Sequence, residues 1–212
     1  MPDKKLFVLF SVFLTALIAA NLLGTKITYL FSFSVSVGIF AVPFTFLITD
    51  IIEEVYGRKT TRLFVYGGVC ALVLLFLFVL LAVHLPAHPR YAFDVEYKQV
   101  LGASLRMIVA SILAFFFAQM HDIWAFNFWK KRTKGRLLWL RNNLSTMVSQ
   151  LIDTTLFMFI AFYHVTPKFT AGFVLTMIVP YWLFKVLFAV LDTPLVYLGV
   201  WWLKKDRTSE TR

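Results

Sequence analysis

Six stretches of mostly apolar residues follow one another along the chain, over 6–23, 37–56, 63–84, 102–124, 143–165 and 173–203. Each is about as long as a helix needs to be to cross the hydrocarbon core of a bilayer. Short segments carrying Gly, Pro and basic residues separate them and read as turns at the membrane surface. The last stretch is too long for one straight crossing, so tilt, or a kink at Pro194, is expected to absorb the excess. One segment breaks the pattern. Ile27–Ser36 runs into an alternation of Ser with Phe or Val (SFSVSV), a period of two that belongs to a strand, in a piece too short to span as a helix. It is expected to form an ordered connection folded back over the bundle.

Composition narrows the class. Hydrophobic residues make up 60% of the 212 and charged residues 15%, against about half and a quarter in soluble domains. The predicted fold is an all-α polytopic membrane protein, with 1–212 as a single domain. The first stretch lacks a small-residue cleavage site with a polar tail behind it, so it reads as a retained helix and not a signal peptide. The single Cys70 rules out an internal disulfide and offers no zinc-type cluster, and neither metal nor cofactor is expected.

Charge sets the orientation. Lys4 and Lys5, Arg58, Lys59 and Arg62, the 130–141 turn, and the tail from Lys204 to Arg212 carry most of the 21 Lys and Arg residues. Six helices with both termini inside bring all of these to the cytoplasmic face, as the positive-inside rule demands, and leave Lys26, Arg90, Lys98 and Lys168 opposite. The net charge of +10 then anchors loops on an anionic leaflet. The basic residues are divided among short loops and tails, so the bilayer is the expected partner and nucleic acid is not.

Ionisable residues inside the apolar stretches carry the functional signal, because a charge at the bilayer centre costs about 3 kcal/mol or more. In PFTFLITDIIEEVYGRKTTR (43–62), Asp50 is followed by Glu53 and Glu54 close to the basic turn. The glutamates read equally well as headgroup-level anchors, while Asp50 reads as part of an inner gate with Arg58 or Arg62. Farther along, Arg106, Asp153, Lys185 and Asp192 lie within spans. Thr146, Gln150, Asp153 and Phe157 recur at helical spacing on one face, which suits a pocket wall. The plain alternative is that Asp153 pairs with Lys185 or Arg106 only to lock the bundle. Ala110, Ala114 and Ala118, and Ala16 with Ala20, form small-residue stripes suited to close helix packing.

These side chains match a flat heterocycle. A carboxylate such as Asp153 accepts adjacent N–H donors; Gln150, Gln119, Asn21 and Arg106 can serve a carbonyl; Phe44, Phe157 and Tyr181 offer stacking faces. Stacking on a base contributes about 1–3 kcal/mol, and a missed buried hydrogen bond costs as much. The residue types do not name the heterocycle. A metalloprotease reading starts from EExxxR at Glu53–Arg58 and FxxxH at Phe117–His121, but it lacks the further HxxxN/D histidine, since His84 and His164 are followed four residues on by His88 and Lys168. A structural subunit without a ligand is the third class.

The ordered set PFTFLITDIIEEVYGRKTTR, RMIVASILAFFFAQMHD (106–122), STMVSQLIDTTLF (145–157), YWLFKV (181–186) and Thr193-Pro194, with Asn21 ahead of it, resembles the bacterial queuosine precursor transporters, also described as vitamin uptake (VUT) transporters. The resemblance covers nearly the whole chain. It implies uptake of 7-cyano-7-deazaguanine, and of its aminomethyl relative, across the inner membrane by a six-helix bundle similar to the substrate-binding components of energy-coupling-factor transporters. The positions it carries over are Asn21, Asp50, Arg106, Gln119, Asp122, Asp153 and Lys185. Separately, the location of Asp50, Glu54 and Asp122 toward the cytoplasmic ends of their helices gives them an expected place in gating or coupling. No GxxxxGK[ST] nucleotide loop occurs, so any ATP-driven coupling would come from a separate energy-coupling module.

Overall fold

A computed structural model describes residues 4–30, 33–164, 167 and 170–207. Among them are six α-helices: α1 (Lys4–Leu23), α2 (Val42–Val55), α3 (Arg58–His84), α4 (Asp94–Arg132), α5 (Leu138–Phe162) and α6 (Ala171–Arg207). Five of the six, all but α2, are long and apolar enough to cross a membrane. Of the basic residues used to orient the chain, Lys168 and Arg212 lie outside the described residues.

α3 and α5 each begin five residues before their expected spans, and three further differences stand out. α4 is much longer than its apolar stretch, because the helix continues into polar sequence at both ends. Asp94 and Glu96 occupy its first turn and Lys130, Lys131 and Arg132 its last, the arrangement that complements the helix dipole. α2 is shorter than expected. A 3-10 turn over Val37–Phe40 precedes it and Pro43 stands at its start, leaving 14 residues, about 21 Å of helix. Pro43 is tolerated there because the first turn needs no N–H from it. The third difference lies in the connection after α1: Ile27–Leu30 (β1) pairs antiparallel with Phe33–Ser36 (β2), Ile27 opposite Ser36 and Leu30 opposite Phe33. The fold is therefore helical with one two-stranded hairpin, at the place where the period-two pattern falls. Phe31 and Ser32 lie outside the described residues.

The hairpin's end is tied to the bundle. The Ser36 N–H donates to Tyr181 Oη on α6 at 2.9 Å, and Ser36 Oγ donates to the Gly24 carbonyl at 2.6 Å. At the opposite end Lys5 Nζ donates to the Trp202 carbonyl at 2.7 Å, so the start of α1 and the end of α6 meet. We refer to these as the hairpin end and the basic end.

Among the described residues, the larger of two apolar clusters joins the helices; the smaller, Met158 with Val174 and Ile178, joins α5 to α6. Phe13 and Leu17 of α1 pack with Phe64, Val65 and Leu72 of α3 and Phe115 of α4, continuing into Ile51 and Ile52 of α2 and Val196 and Val200 of α6. The alanine stripe of α4 is fully buried at Ala110, Ala114 and Ala118, as expected of small residues that let a neighbouring helix approach closely. Gly68 on α3 serves the same end: a side chain there would strike Leu17, Phe13 and Phe115. α2 departs from this apolar character. Its buried face carries Thr45, Thr49, Asp50 and Glu53, a polar wedge inside the bundle.

Candidate ligand cavity

Below the hairpin lies a cavity of about 100 Å³, several times the room one water needs. α1 contributes Ala20 and Asn21, α2 Thr45 and Phe46, and α4 Ser111 and Phe115. α5 adds Asp153, Thr154 and Phe157, α6 adds Tyr181 and Lys185, and Ser36 closes the top. The charged feature is one ion pair, Lys185 Nζ to Asp153 Oδ2 at 2.6 Å, with side chains 11% and 15% exposed. Around it stand polar atoms without partners. Asn21 donates through Nδ2 to the Leu17 carbonyl at 2.9 Å, but its buried Oδ1 has no partner, and neither has Thr154 Oγ1. A buried polar atom left unmade costs about 1–3 kcal/mol, so a ligand that supplies the missing partners gains from both. Phe46, Phe115 and Phe157 provide flat apolar walls. Polar groups converging in an aromatic-walled cavity are the ordinary make-up of a small-molecule site.

A second, smaller chamber of about 20 Å³ lies toward the basic end, bounded by Asp50, Asn142, Thr146, Gln150 and Asp192. Lys185 and Phe46 border both spaces. The α5 stripe expected as a pocket wall thus lines both: Asp153 and Phe157 the upper cavity, Thr146 and Gln150 the lower chamber. The helical repeat puts all four on one face, and their rise along the axis divides them between the two spaces.

Of the residues expected to hold a ligand, Asn21, Asp153, Phe157, Tyr181 and Lys185 come together in the upper cavity. Gln150 belongs to the lower chamber. Gln119 is fully buried with neither amide atom partnered, outside the cavity lining. Phe44 is half exposed, in a shallow groove with Ser11 and Thr15 of α1. Phe46, two positions on and about 200° around the helix, is buried and lines the cavity instead. Arg106 is exposed. Its Nε donates to the Ile160 carbonyl at 2.8 Å and its Nη2 to the Tyr163 carbonyl at 2.7 Å, closing the last turn of α5. Replacing Arg106 with Ala should therefore lower the unfolding temperature in detergent and leave ligand affinity unchanged; a large loss of affinity in a variant of normal stability would make it a ligand contact.

The acidic residues of α2 divide. Asp50 accepts from Thr146 Oγ1 at 3.4 Å and lies within hydrogen-bonding reach of Asp122 on α4, rather than forming the expected pair with Arg58 or Arg62. The guanidinium that reaches α2 is Arg141, on α5. Its side chain is 1% exposed, and its Nη2 lies 2.6 Å from Glu54 Oε2, which Lys130 Nζ meets at 2.9 Å. Lys204 Nζ stands 3.9 Å from Glu54 Oε1. Glu54 thereby ties α2 to α4, α5 and α6 across the basic end. Glu53 accepts from Asn127 Nδ2, and His121, the histidine of FxxxH, is hydrogen bonded to Ser149 Oγ at 2.9 Å. Sequence reasoning missed Thr154, Phe46 and Arg141. Thr154 adjoins Asp153, and Arg141 looked like one more surface cation of a basic turn.

With that geometry in hand, the chain compares with known proteins as follows. Residues 36–199 match the family described as "Putative vitamin uptake transporter". A Bacillus subtilis (strain 168) protein named "Probable queuosine precursor transporter" is 31% identical over 197 residues, covering 92% of this chain and 84% of that protein. An Escherichia coli (strain K12) protein named "Queuosine precursor transporter" is 24% identical over 187 residues, covering 88% and 82%. No solved structure matches this chain.

Proposed function

The chain belongs to the queuosine precursor transporter family, also described as putative vitamin uptake transporters, and on that premise we propose that it carries 7-cyano-7-deazaguanine inward across the bacterial inner membrane. The aminomethyl analogue is a second substrate of the same shape, and both serve tRNA queuosine modification. The observation that carries this reading is the buried Asp153–Lys185 pair in an aromatic-walled cavity. A 7-deazaguanine has two adjacent N–H donors that a carboxylate accepts side by side, a ring carbonyl that suits a hydroxyl donor, and a flat face for Phe46 or Phe157. Asp153 takes the donors, the unpartnered Thr154 hydroxyl the carbonyl, and the free Oδ1 of Asn21 a further ring N–H. Tyr181, bonded to Ser36, holds the hairpin as a cover.

Six membrane helices with both termini in the cytoplasm form a single transporter domain in this proposal. The contact of Lys5 with Trp202 and the meeting of four helices at Glu54 support that arrangement, and the basic character of this end supports its cytoplasmic orientation. The architecture is similar to the substrate-binding components of energy-coupling-factor transporters. Ligand enters from the hairpin end; Glu54 with Arg141 forms the inner gate; Asp50 and Asp122 stand between cavity and gate. Gln119, buried with its amide unpartnered, becomes a ligand contact if α4 rotates on opening. An energy-coupling module would add a partner without changing the cavity.

Binding of 7-cyano-7-deazaguanine to the purified protein in detergent, with guanine as competitor, tests the reading. Saturable binding at one site per chain is the expected result. No binding by protein shown to be folded would reject this ligand.

A further inference from the structure

Between the ligand cavity and the inner gate, two carboxyl groups meet. Asp50 on α2 and Asp122 on α4 are 3% and 2% exposed, and their side chains lie within hydrogen-bonding reach of each other. Among the described residues neither takes part in an ion pair. Two ionised carboxylates have no donor to share, so a hydrogen bond between them requires one proton on the pair.

The charged neighbours leave that proton without a rival at rest. On α2, Glu53 is a further acidic group acting on Asp50, and Glu54 is held by Arg141 and Lys130. On α4, His121 is turned onto Ser149. On α5, Thr146 donates to Asp50 at 3.4 Å, and the neutral hydroxyls of Ser145 and Ser149 donate to the backbone carbonyls of Asn142 and Ser145. From α6, Asp192 and Lys185 border the chamber, but Lys185 is engaged with Asp153 at 2.6 Å. From α3 come Arg58 and Arg62, whose buried Nε atoms have no partner and which form no ion pair with Asp50 among the described residues.

A second observation concerns the chamber that Asp50 borders. Asn142 Oδ1 and Gln150 Oε1, on side chains 2% and 3% exposed, have no hydrogen-bond partner. With the Asp50 carboxylate they make three acceptors around a space of about 20 Å³. An ammonium carries three donors and no acceptor, and the ammonium bordering this chamber, Lys185, also borders the ligand cavity.

We propose that the Asp50–Asp122 pair is a proton-binding site, and that Lys185 couples it to the ligand by moving from Asp153 into the lower chamber when ligand takes Asp153. The inference rests on the ligand assignment above. A ligand that spans both Asp153 oxygens displaces Lys185 Nζ from Oδ2. The freed ammonium donates to Asp50, Asn142 and Gln150, and its charge replaces the shared proton, which leaves to water. Each ligand bound releases one proton, so affinity rises with pH wherever the empty protein still holds it, by up to about tenfold per pH unit.

Calorimetric titration with 7-cyano-7-deazaguanine in two buffers of different ionisation enthalpy counts the protons. One proton released per ligand is expected in the parent, and none in Asp50→Asn, titrated at ligand concentrations that saturate a variant weakened by loss of the carboxylate Lys185 moves to; Asp122→Asn is the second variant should the first not fold. Zero release in the parent, or undiminished release in both variants, overturns the proposal. Affinity that depends on sodium at fixed pH, without proton release, does so too and assigns the chamber to a metal cation. Should the ligand not bind at all, the ligand assignment falls alone. The infrared carbonyl band of a protonated buried carboxyl in ligand-free protein then decides the proton site. Its presence in the parent and loss in both variants supports the site; its absence from the parent rejects it.

Discussion

Asp153→Asn is expected to weaken binding of 7-cyano-7-deazaguanine by about two orders of magnitude. The carboxylate is the group proposed to meet two N–H donors, and a hydrogen bond to a charged group contributes about 1.5–3 kcal/mol. Asparagine keeps one neutral acceptor but sets an N–H against the second donor, and the loss of charge from one bond and of the other bond altogether corresponds to about a hundredfold change in the dissociation constant. The substitution has a second consequence. Lys185, 11% exposed, loses its counter-ion, and an uncompensated buried charge costs about 3–5 kcal/mol, so the single variant should also unfold at lower temperature. The double variant Asp153→Asn with Lys185→Gln separates the two effects. With no unpaired charge left, it should regain stability and still fail to bind. Equilibrium binding and thermal unfolding on the three proteins give the answer. Parent-like affinity in Asp153→Asn would move the ligand elsewhere, and binding regained with stability in the double variant would reduce the ion pair to a helix lock.

Arg141→Ala should be the most damaging single change at the basic end. Among the described residues, Arg141 is the largest fully buried side chain. It meets Glu54 at 2.6 Å, donates to the Gly135 carbonyl at 3.3 Å and lies over the Phe126 ring at 5.3 Å. Truncation leaves a cavity and a weakened partner for Glu54, and breaking a buried pair from one side costs about 3–5 kcal/mol. Lys130 still reaches Glu54 at 2.9 Å, which holds the expected loss to the lower part of that range. Lys204, 56% exposed and 3.9 Å away, adds little to the clamp because water screens it. Lysine at 141 should restore only part of the stability, since an ammonium cannot reproduce the forked contacts of a guanidinium. Unfolding temperatures of the Ala and Lys variants test this ordering. A neutral Arg141→Ala would mean that the clamp does not hold the basic end together.

Much of the helix frame was legible because the signal is local. An apolar run of bilayer length must satisfy its own backbone hydrogen bonds, so it folds as a helix whatever surrounds it. The alternation near Ser34 and Ser36 announced the hairpin for a similar reason: period two puts alternate side chains on opposite faces. The ends of α4 were not legible from hydropathy, since the helix runs on through residues that are polar but charged in the sense its dipole favours. α2 defeated the length rule in the other direction. A 14-residue helix with a polar buried face reads as a full span only when the turn before it is counted in.

The site divided along the same line. Composition and spacing alone determined that Asp50, Asp153 and Lys185 sit in a membrane-like frame and need partners, because an unpaired charge there is too costly to persist. They also determined which residues of α5 share a face. Tertiary structure alone decided which charges meet. Lys185 goes to Asp153, Arg141 and not Arg58 or Arg62 reaches α2, and Arg106 closes a helix end instead of facing the cavity. It likewise chose Phe46 over Phe44 as the cavity wall. Pairing across helices depends on their rotation and depth relative to one another, and those are set by the summed packing of many side chains that no single segment encodes.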